Sequence, residues 1–113
     1  MPLLKTTVDT TSAEFSANRN ANRQLAKTLL EHLRNVSLGG PEAMRQKHTS
    51  RGKLLVRDRV QRLLDVKTPF LELSPLAAIG QHNDGFPSAG IVTGIGLIHG
   101  REVMIVANDA TVK

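Results

Sequence analysis

Gly90-Ile91-Val92-Thr93-Gly94-Ile95-Gly96-Leu97-Ile98 and Glu102-Val103-Met104-Ile105-Val106-Ala107, with His99-Gly100-Arg101 between them, decide the fold of this chain. Both runs are apolar and rich in β-branched residues, which suit a pleated surface. The short connector containing a glycine makes them an antiparallel hairpin spanning residues 90–107. Nearly every position is apolar, whereas a strand with one wet face alternates, so the pattern implies burial on both faces. A chain of 113 residues has little left over to cover a second face. The strand ending at Val106 would also keep an open edge that invites pairing with another chain. On these grounds the sequence reads as incomplete in itself. Gly94 and Gly96 superficially match a nucleotide-binding loop, but the third glycine is absent and no helix follows. Close packing or a strand bend accounts for them better.

Upstream of the hairpin, Phe70-Leu71-Glu72-Leu73 is a short strand candidate, and Ser74 to Ser88 reads as a loop punctuated by Pro, Gly, Asn and Asp. The period then changes to that of helices. Phe15, Leu25, Leu29, Leu30, Leu33 and Val36 recur at helical spacing, which predicts a long helix over residues 12–37. Thr11-Ser12-Ala13-Glu14 fits a capping box at its start, and Gly39-Gly40 supplies its stop. Pro41 suits a first helical position, which predicts a second helix over 41–47, interrupted by His48-Thr49-Ser50-Arg51-Gly52. A third helix over 56–64 carries Val56, Val60, Leu63 and Leu64 on one face, with Arg57, Arg59 and Arg62 pointing largely elsewhere. Either the Leu25, Leu29 and Leu33 stripe or the Val60 and Leu64 stripe would cover one side of the hairpin. The expected class is α/β, helical over 1–66 and built around the hairpin over 67–113.

Composition narrows the functions. There is no Cys, which excludes a disulfide framework, a thiol nucleophile and a thiolate zinc site. No run of apolar residues is long enough to span a membrane, and the start lacks the character of a signal or transit peptide, so a cytoplasmic location is expected. The net charge of +5 is uneven: 12 of the 15 Lys and Arg, against four acids, fall between Arg19 and Lys67, giving +8 there. Such asymmetry suits either an anionic partner or a solvated helical face. A small basic module that binds nucleic acid is one alternative, opposed by the scarcity of aromatics (three Phe, no Tyr or Trp). A non-catalytic interaction module is another.

No catalytic set can be assembled. His32, His48, His82 and His99 are scattered and none pairs with a carboxylate at metal-ligand spacing, so no metal is assigned. Two segments stand out. Arg51-Gly52-Lys53-Leu54-Leu55-Val56-Arg57-Asp58-Arg59 places four cations where a loop enters a helix, a natural phosphate site if it is not simply an exposed basic turn. Asn108-Asp109-Ala110-Thr111-Val112-Lys113 is a polar loop directly after a buried strand, where rigid scaffolds often present ligand contacts.

Taken in order, Ser50 to Val60, Thr68-Pro69-Phe70-Leu71-Glu72-Leu73, Ala89 to Gly96 and Ala107-Asn108-Asp109-Ala110-Thr111-Val112-Lys113 resemble the N-terminal part of the carboxyltransferase (β) subunit of biotin-dependent acyl-CoA carboxylases. Within that family the likeness is greatest to the methylcrotonoyl-CoA carboxylase subgroup, whose opening Ser12 to Asn18 also resembles. The chain departs from the pattern at Val66-Lys67, where the family usually has Pro-Gly, and from Gln81 to Phe86, where a tyrosine-containing stretch is usual. The resemblance implies the N-terminal segment of a crotonase-like ββα spiral, with later turns covering the second face of the hairpin. It implies Ala110, Thr111 and Lys113 as candidates for contact with coenzyme A, and Arg51 and Lys53 as candidate phosphate partners. It implies transfer of a carboxyl group from carboxybiotin to 3-methylcrotonoyl-CoA in leucine catabolism, through an enolate held by amide donors. Biotin would be carried by a partner, the biotin carboxylase and biotin carrier α subunit, in a hetero-oligomer, in a bacterial cytoplasm. The Gly-Gly that normally follows the final lysine and everything beyond it are not in this sequence, so the 113 residues alone are expected to be inactive.

Overall fold

The computed structural model describes residues 3–112. It contains three α-helices, α1 (Ala13–Ser37), α2 (Glu42–Thr49) and α3 (Val56–Leu63), and three strands, β1 (Leu71–Leu73), β2 (Ile91–Ile98) and β3 (Arg101–Asn108). The chain divides into two compact units, Met1–Glu31 and His32–Lys113.

In the first unit, residues 3–9 have no regular structure, and a turn over Thr10 and Thr11, closed by the Ser12 amide on the Asp9 carbonyl, leads into α1. The helix start differs from the expected Thr11/Glu14 capping box. Ser12 is the cap, its Oγ accepting the Phe15 amide at 3.0 Å. The Thr11 hydroxyl instead donates to Asp9 Oδ1 at 2.6 Å, and the Thr11 amide donates to the same oxygen at 2.9 Å. These bonds favour the ionised form and hold the Asp9 carboxyl below its ordinary pKa. Leu25, Leu29 and Leu30 are exposed, so the expected core stripe of α1 is not buried at these positions.

In the second unit the core sits between α3 and the sheet. Val56 and Val60 of α3 and Val92 and Ile105 of the hairpin are buried, and Val36 at the end of α1 joins them. The Val60 and Leu64 stripe is therefore the one that covers the hairpin. The second helix runs Glu42–Thr49, with Pro41 just before it and His48 and Thr49 inside it, where an interruption was expected. Its extension ends in a turn closed by the His48 Nε2 contact with the Leu54 carbonyl at 3.0 Å.

The sheet is antiparallel, in the order β1-β2-β3. The hairpin connection has two residues rather than three, because Arg101 already pairs with Ile98. His99 (φ 50°) and Gly100 (φ 73°) both lie in the left-handed region, as the favoured two-residue hairpin turns require. Asp65 secures this turn: Oδ1 accepts the His99 amide at 2.8 Å and Oδ2 the Gly100 amide at 2.7 Å. The two backbone donors, Gly100 first, lower the pKa of its carboxyl.

The glycines of β2 mark close packing. A Cβ on Gly94 would collide with the Phe70 ring and one on Gly96 with Leu64. These two positions and Val92 form the buried face. The opposite face is apolar and open. Leu71, Ile95 and Met104 form one cross-strand row, and all three are exposed, as are Leu73, Ile91 and Val106. Burial of both faces, expected from the continuous apolar runs, is thus met on one side only by the elements described.

Candidate functional site

The loop after β3 is built on the turn that ends α1. Gly39 adopts φ +85°, and a Cβ on it would lie 2.7 Å from Asp109 Oδ2. A Cβ on Gly40 would overlap the Thr111 carbonyl. The glycine pair, legible in the sequence as a helix stop, is therefore also the surface on which Asp109 and Thr111 sit. Asp109 Oδ1 accepts both the Thr111 amide (2.9 Å) and the Thr111 hydroxyl (2.6 Å). Thr111 Oγ1 in turn accepts the Gly40 amide at 2.9 Å. The Asp109 amide donates to the Gly90 carbonyl at 2.9 Å, fixing the loop to the start of β2. Asp109 and Thr111 are buried, and Ala110 between them is exposed.

The other sequence candidates lie elsewhere. Arg51 and Lys53 are exposed in the turn between α2 and α3, where the Arg51 amide donates to the His48 carbonyl at 3.3 Å, and neither side chain makes a hydrogen bond or ion pair among the described residues. No hydrogen bond joins this turn to the loop after β3 among the described residues. Lys113 lies outside the described residues. Thr111 commits its hydroxyl inward, both as donor and as acceptor, and the exposed residue of the loop is Ala110.

Arg57 was expected away from the packed face and is instead its polar hub. Its Nε and Nη2 donate to the two carboxylate oxygens of Glu72 at 3.1 and 2.6 Å. Nη1 donates to the Val36 and Ser37 carbonyls at the end of α1 (3.1 and 3.3 Å), and Nη2 also to Ser88 Oγ (3.0 Å). The Ser88 hydroxyl passes on to the Pro75 carbonyl at 2.9 Å. Arg59 Nη2 donates to the Asn108 carbonyl at 3.2 Å, so of the four cations in this segment only the Arg51 and Lys53 side chains have no partner among the described residues. The signal for Arg57 was weak: an arginine beside an apolar helix face and one glutamate in a short strand.

A cleft of about 270 Å3 adjoins the same glycine turn, between the end of α1 (His32, Asn35, Val36, Gly39, Gly40) and the loop carrying Ile79, Asp84 and Phe86. The loop is unusual in backbone: His82, Asn83 and Asp84 have φ of 50°, 54° and 54°. The Asp84 carboxylate stabilises it by accepting the Gly80 amide at 2.6 Å. Among the described residues no group of three His, Cys, Asp or Glu could hold a metal ion, and no helix is long and apolar enough to cross a membrane.

An open antiparallel sheet backed by a basic helix, with a glycine-anchored loop after its last strand, defines a class, and comparison with known proteins gives that class its name. Residues 47–113 match the carboxyl transferase domain family, and the chain belongs to it. It is 58% identical over 92 residues to a biotin-dependent 3-methylcrotonyl-coenzyme A carboxylase beta1 subunit of Mycobacterium tuberculosis (strain ATCC 25618 / H37Rv), covering 81% of this chain and 17% of that one. It is 48% identical over 112 residues to the mitochondrial methylcrotonoyl-CoA carboxylase beta chain of Dictyostelium discoideum, covering 98% of this chain and 19% of the relative. Among solved structures it resembles transcarboxylase 12S, described as a hexamer with hydrolyzed methylmalonyl-coenzyme A bound, at TM-score 0.67 and 33% identity, covering 77% of this chain and 18% of that one. The α/β arrangement is thus that of the crotonase-like carboxyltransferases. The chain spans about a fifth of the length of the relatives it matches.

Proposed function

We propose that this chain is part of the carboxyltransferase subunit of a biotin-dependent acyl-CoA carboxylase, transferring a carboxyl group from carboxybiotin to 3-methylcrotonoyl-CoA. The observation that carries the reading is the family match over residues 47–113, which takes in both the exposed Arg51–Lys53 turn and the loop after β3. The acyl-CoA thioester is the substrate, and this chain's part is to bind it. Arg51 and Lys53, long cations whose side chains have no partner among the described residues, suit the phosphates of coenzyme A. The exposed Ala110 of the loop after β3 suits the approach of its acyl arm, and Lys113 belongs to the same candidate set.

Biotin supplies the carboxyl group in such chemistry. The reading assigns it to the biotin carboxylase and biotin carrier α subunit. The reading includes a hetero-oligomer with that subunit and with the remainder of the carboxyltransferase, in a bacterial cytoplasm.

Calorimetric titration of the purified chain with coenzyme A and with dephospho-coenzyme A tests the binding role. The expected result is binding that weakens in Arg51→Ala and Lys53→Ala and with loss of the 3′-phosphate. Equal affinity of all these variants for both ligands would refute the assignment of the two cations, and absence of any binding would refute the reading. In a carboxybiotin decarboxylation assay the 113-residue chain by itself is expected to show no turnover above a heat-treated control.

A further inference from the structure

We infer that Asp109 is a positioning residue, which fixes the backbone of residues 110–112 by latching the loop after β3 onto the Gly39–Gly40 turn; this rests on the acyl-CoA reading of that loop. Asp109 is a buried carboxylate, 7% exposed, with no cation paired to it among the described residues. A charge in such a place needs hydrogen bonds to its oxygens, and two come from Thr111.

The molecule contains its own control. Asp9 and Thr11 repeat the same three-residue turn with the same two distances, 2.9 and 2.6 Å, but in an exposed position. The turn is therefore a local device in which an acid accepts from the residue two positions on. At Asp109 it is combined with a long-range bond. The Thr111 oxygen, oriented by giving its proton to Asp109, is left to accept the Gly40 amide across 71 positions of sequence. Gly39 and Gly40 leave no room for a side chain between the two segments. Asp109 thus acts through Thr111: it sets the hydroxyl rotor, the rotor captures Gly40, and the outward face of the loop is held in one conformation. A loop already ordered loses less freedom when a ligand arrives, and this is the route to affinity.

The test combines amide hydrogen exchange by NMR with calorimetric titration of coenzyme A, on the full chain and on Asp109→Ala, Asp109→Asn, Thr111→Val and Asp9→Ala. Asp109→Ala and Thr111→Val are expected to speed exchange of the Gly40 amide and to weaken coenzyme A binding about tenfold, the equivalent of one oriented hydrogen bond. Asp109→Asn keeps an acceptor at the same place and is expected to restore most of both, which also covers the case in which the alanine variant does not fold. Asp9→Ala is expected to change neither. Unchanged Gly40 exchange in Thr111→Val and in Asp109→Ala, with wild-type affinity, would overturn the latch. Faster Gly40 exchange with wild-type affinity would overturn its positioning role while leaving the acyl-CoA reading intact. Failure of the unsubstituted chain to bind coenzyme A would overturn that reading, and the positioning role with it.

Discussion

Replacing Arg57 by alanine is expected to destabilise the second unit by about 3 kcal/mol, a large share of the few kcal/mol by which a domain of this size is normally stable. The figure follows from geometry. An exposed ion pair is worth about 0.2–1 kcal/mol, whereas breaking a fully buried one costs about 3–5. The Arg57 and Glu72 side chains are each 22% exposed, which places their pair nearer the buried limit. Removal also strips a donor from the Val36 and Ser37 carbonyls, where a cation is favoured by the end of α1, and from Ser88. Arg57→Lys keeps the charge but cannot reproduce the planar fork, and should recover less than half of the loss. Urea unfolding followed by far-UV circular dichroism reads these values, with an unchanged slope showing that stability alone has moved. A double-mutant cycle with Glu72→Gln should return a coupling of about 1–2 kcal/mol. A loss below about 1 kcal/mol for Arg57→Ala, or a coupling near zero, would show that the hub is solvated and refute the reasoning.

Three further outcomes are expected. The Asp65 carboxyl is lowered in pKa by the Gly100 and His99 amides, so its contribution is present above the ordinary carboxylate range and is lost as pH falls through its folded value; the difference in urea midpoint between the chain and Asp65→Asn should shrink on acidification, and a constant difference would count against it. Lys67 holds φ 63° in the turn closed by the Thr68 amide on the Asp65 carbonyl, so Lys67→Gly should raise the urea midpoint by the equivalent of about 0.5–1 kcal/mol. Met104→Lys and Val106→Lys, on the open apolar face, should reduce concentration-dependent association in sedimentation while leaving the circular dichroism spectrum intact; equal association would show that this face is not the one used.

What could be read from the sequence was what depends on neighbours in the chain. The hairpin, the helix around Leu25 to Val36 and the third helix all follow from local periodicity, and boundaries moved by only one or two residues. The capping box was misread by one position because Thr11 and Ser12 are chemically equivalent caps, and only the Asp9 carboxylate draws Thr11 away. Arg57 and Gly39–Gly40 were read for their local roles alone. Their partners, Glu72 and the Asp109–Thr111 turn, are brought to them by the packing of α3 on the sheet, which no spacing in the sequence encodes. Ala110 and Thr111 lay in a loop that the strand before it made conspicuous, but the inward commitment of the Thr111 hydroxyl depends on a backbone amide far upstream. The openness of one sheet face was half legible: the apolar runs indicated that both faces want cover, and the structure shows which face α3 supplies.

The bond from Gly40 to Thr111 also has a bearing on the order of assembly. A two-residue hairpin such as β2–β3 closes in about 1–10 μs, because its contacts are local. The Arg57–Glu72 pair joins residues 15 apart, the Asp65 clasp on the hairpin turn 34, and the Gly40–Thr111 bond 71. Closing a chain costs roughly 0.6 kcal/mol more for each doubling of length, so the last of these contacts is entropically the most expensive to make from an open chain. It becomes affordable once β2, β3 and α3 have docked and brought the two ends near. The same hierarchy run backwards lets the loop after β3 open while the β2–β3 ladder stays whole, once the bonds that tie Thr111 to Gly40 and Asp109 to Gly90 are broken. The segment proposed to meet the substrate is thus the last to be set in place.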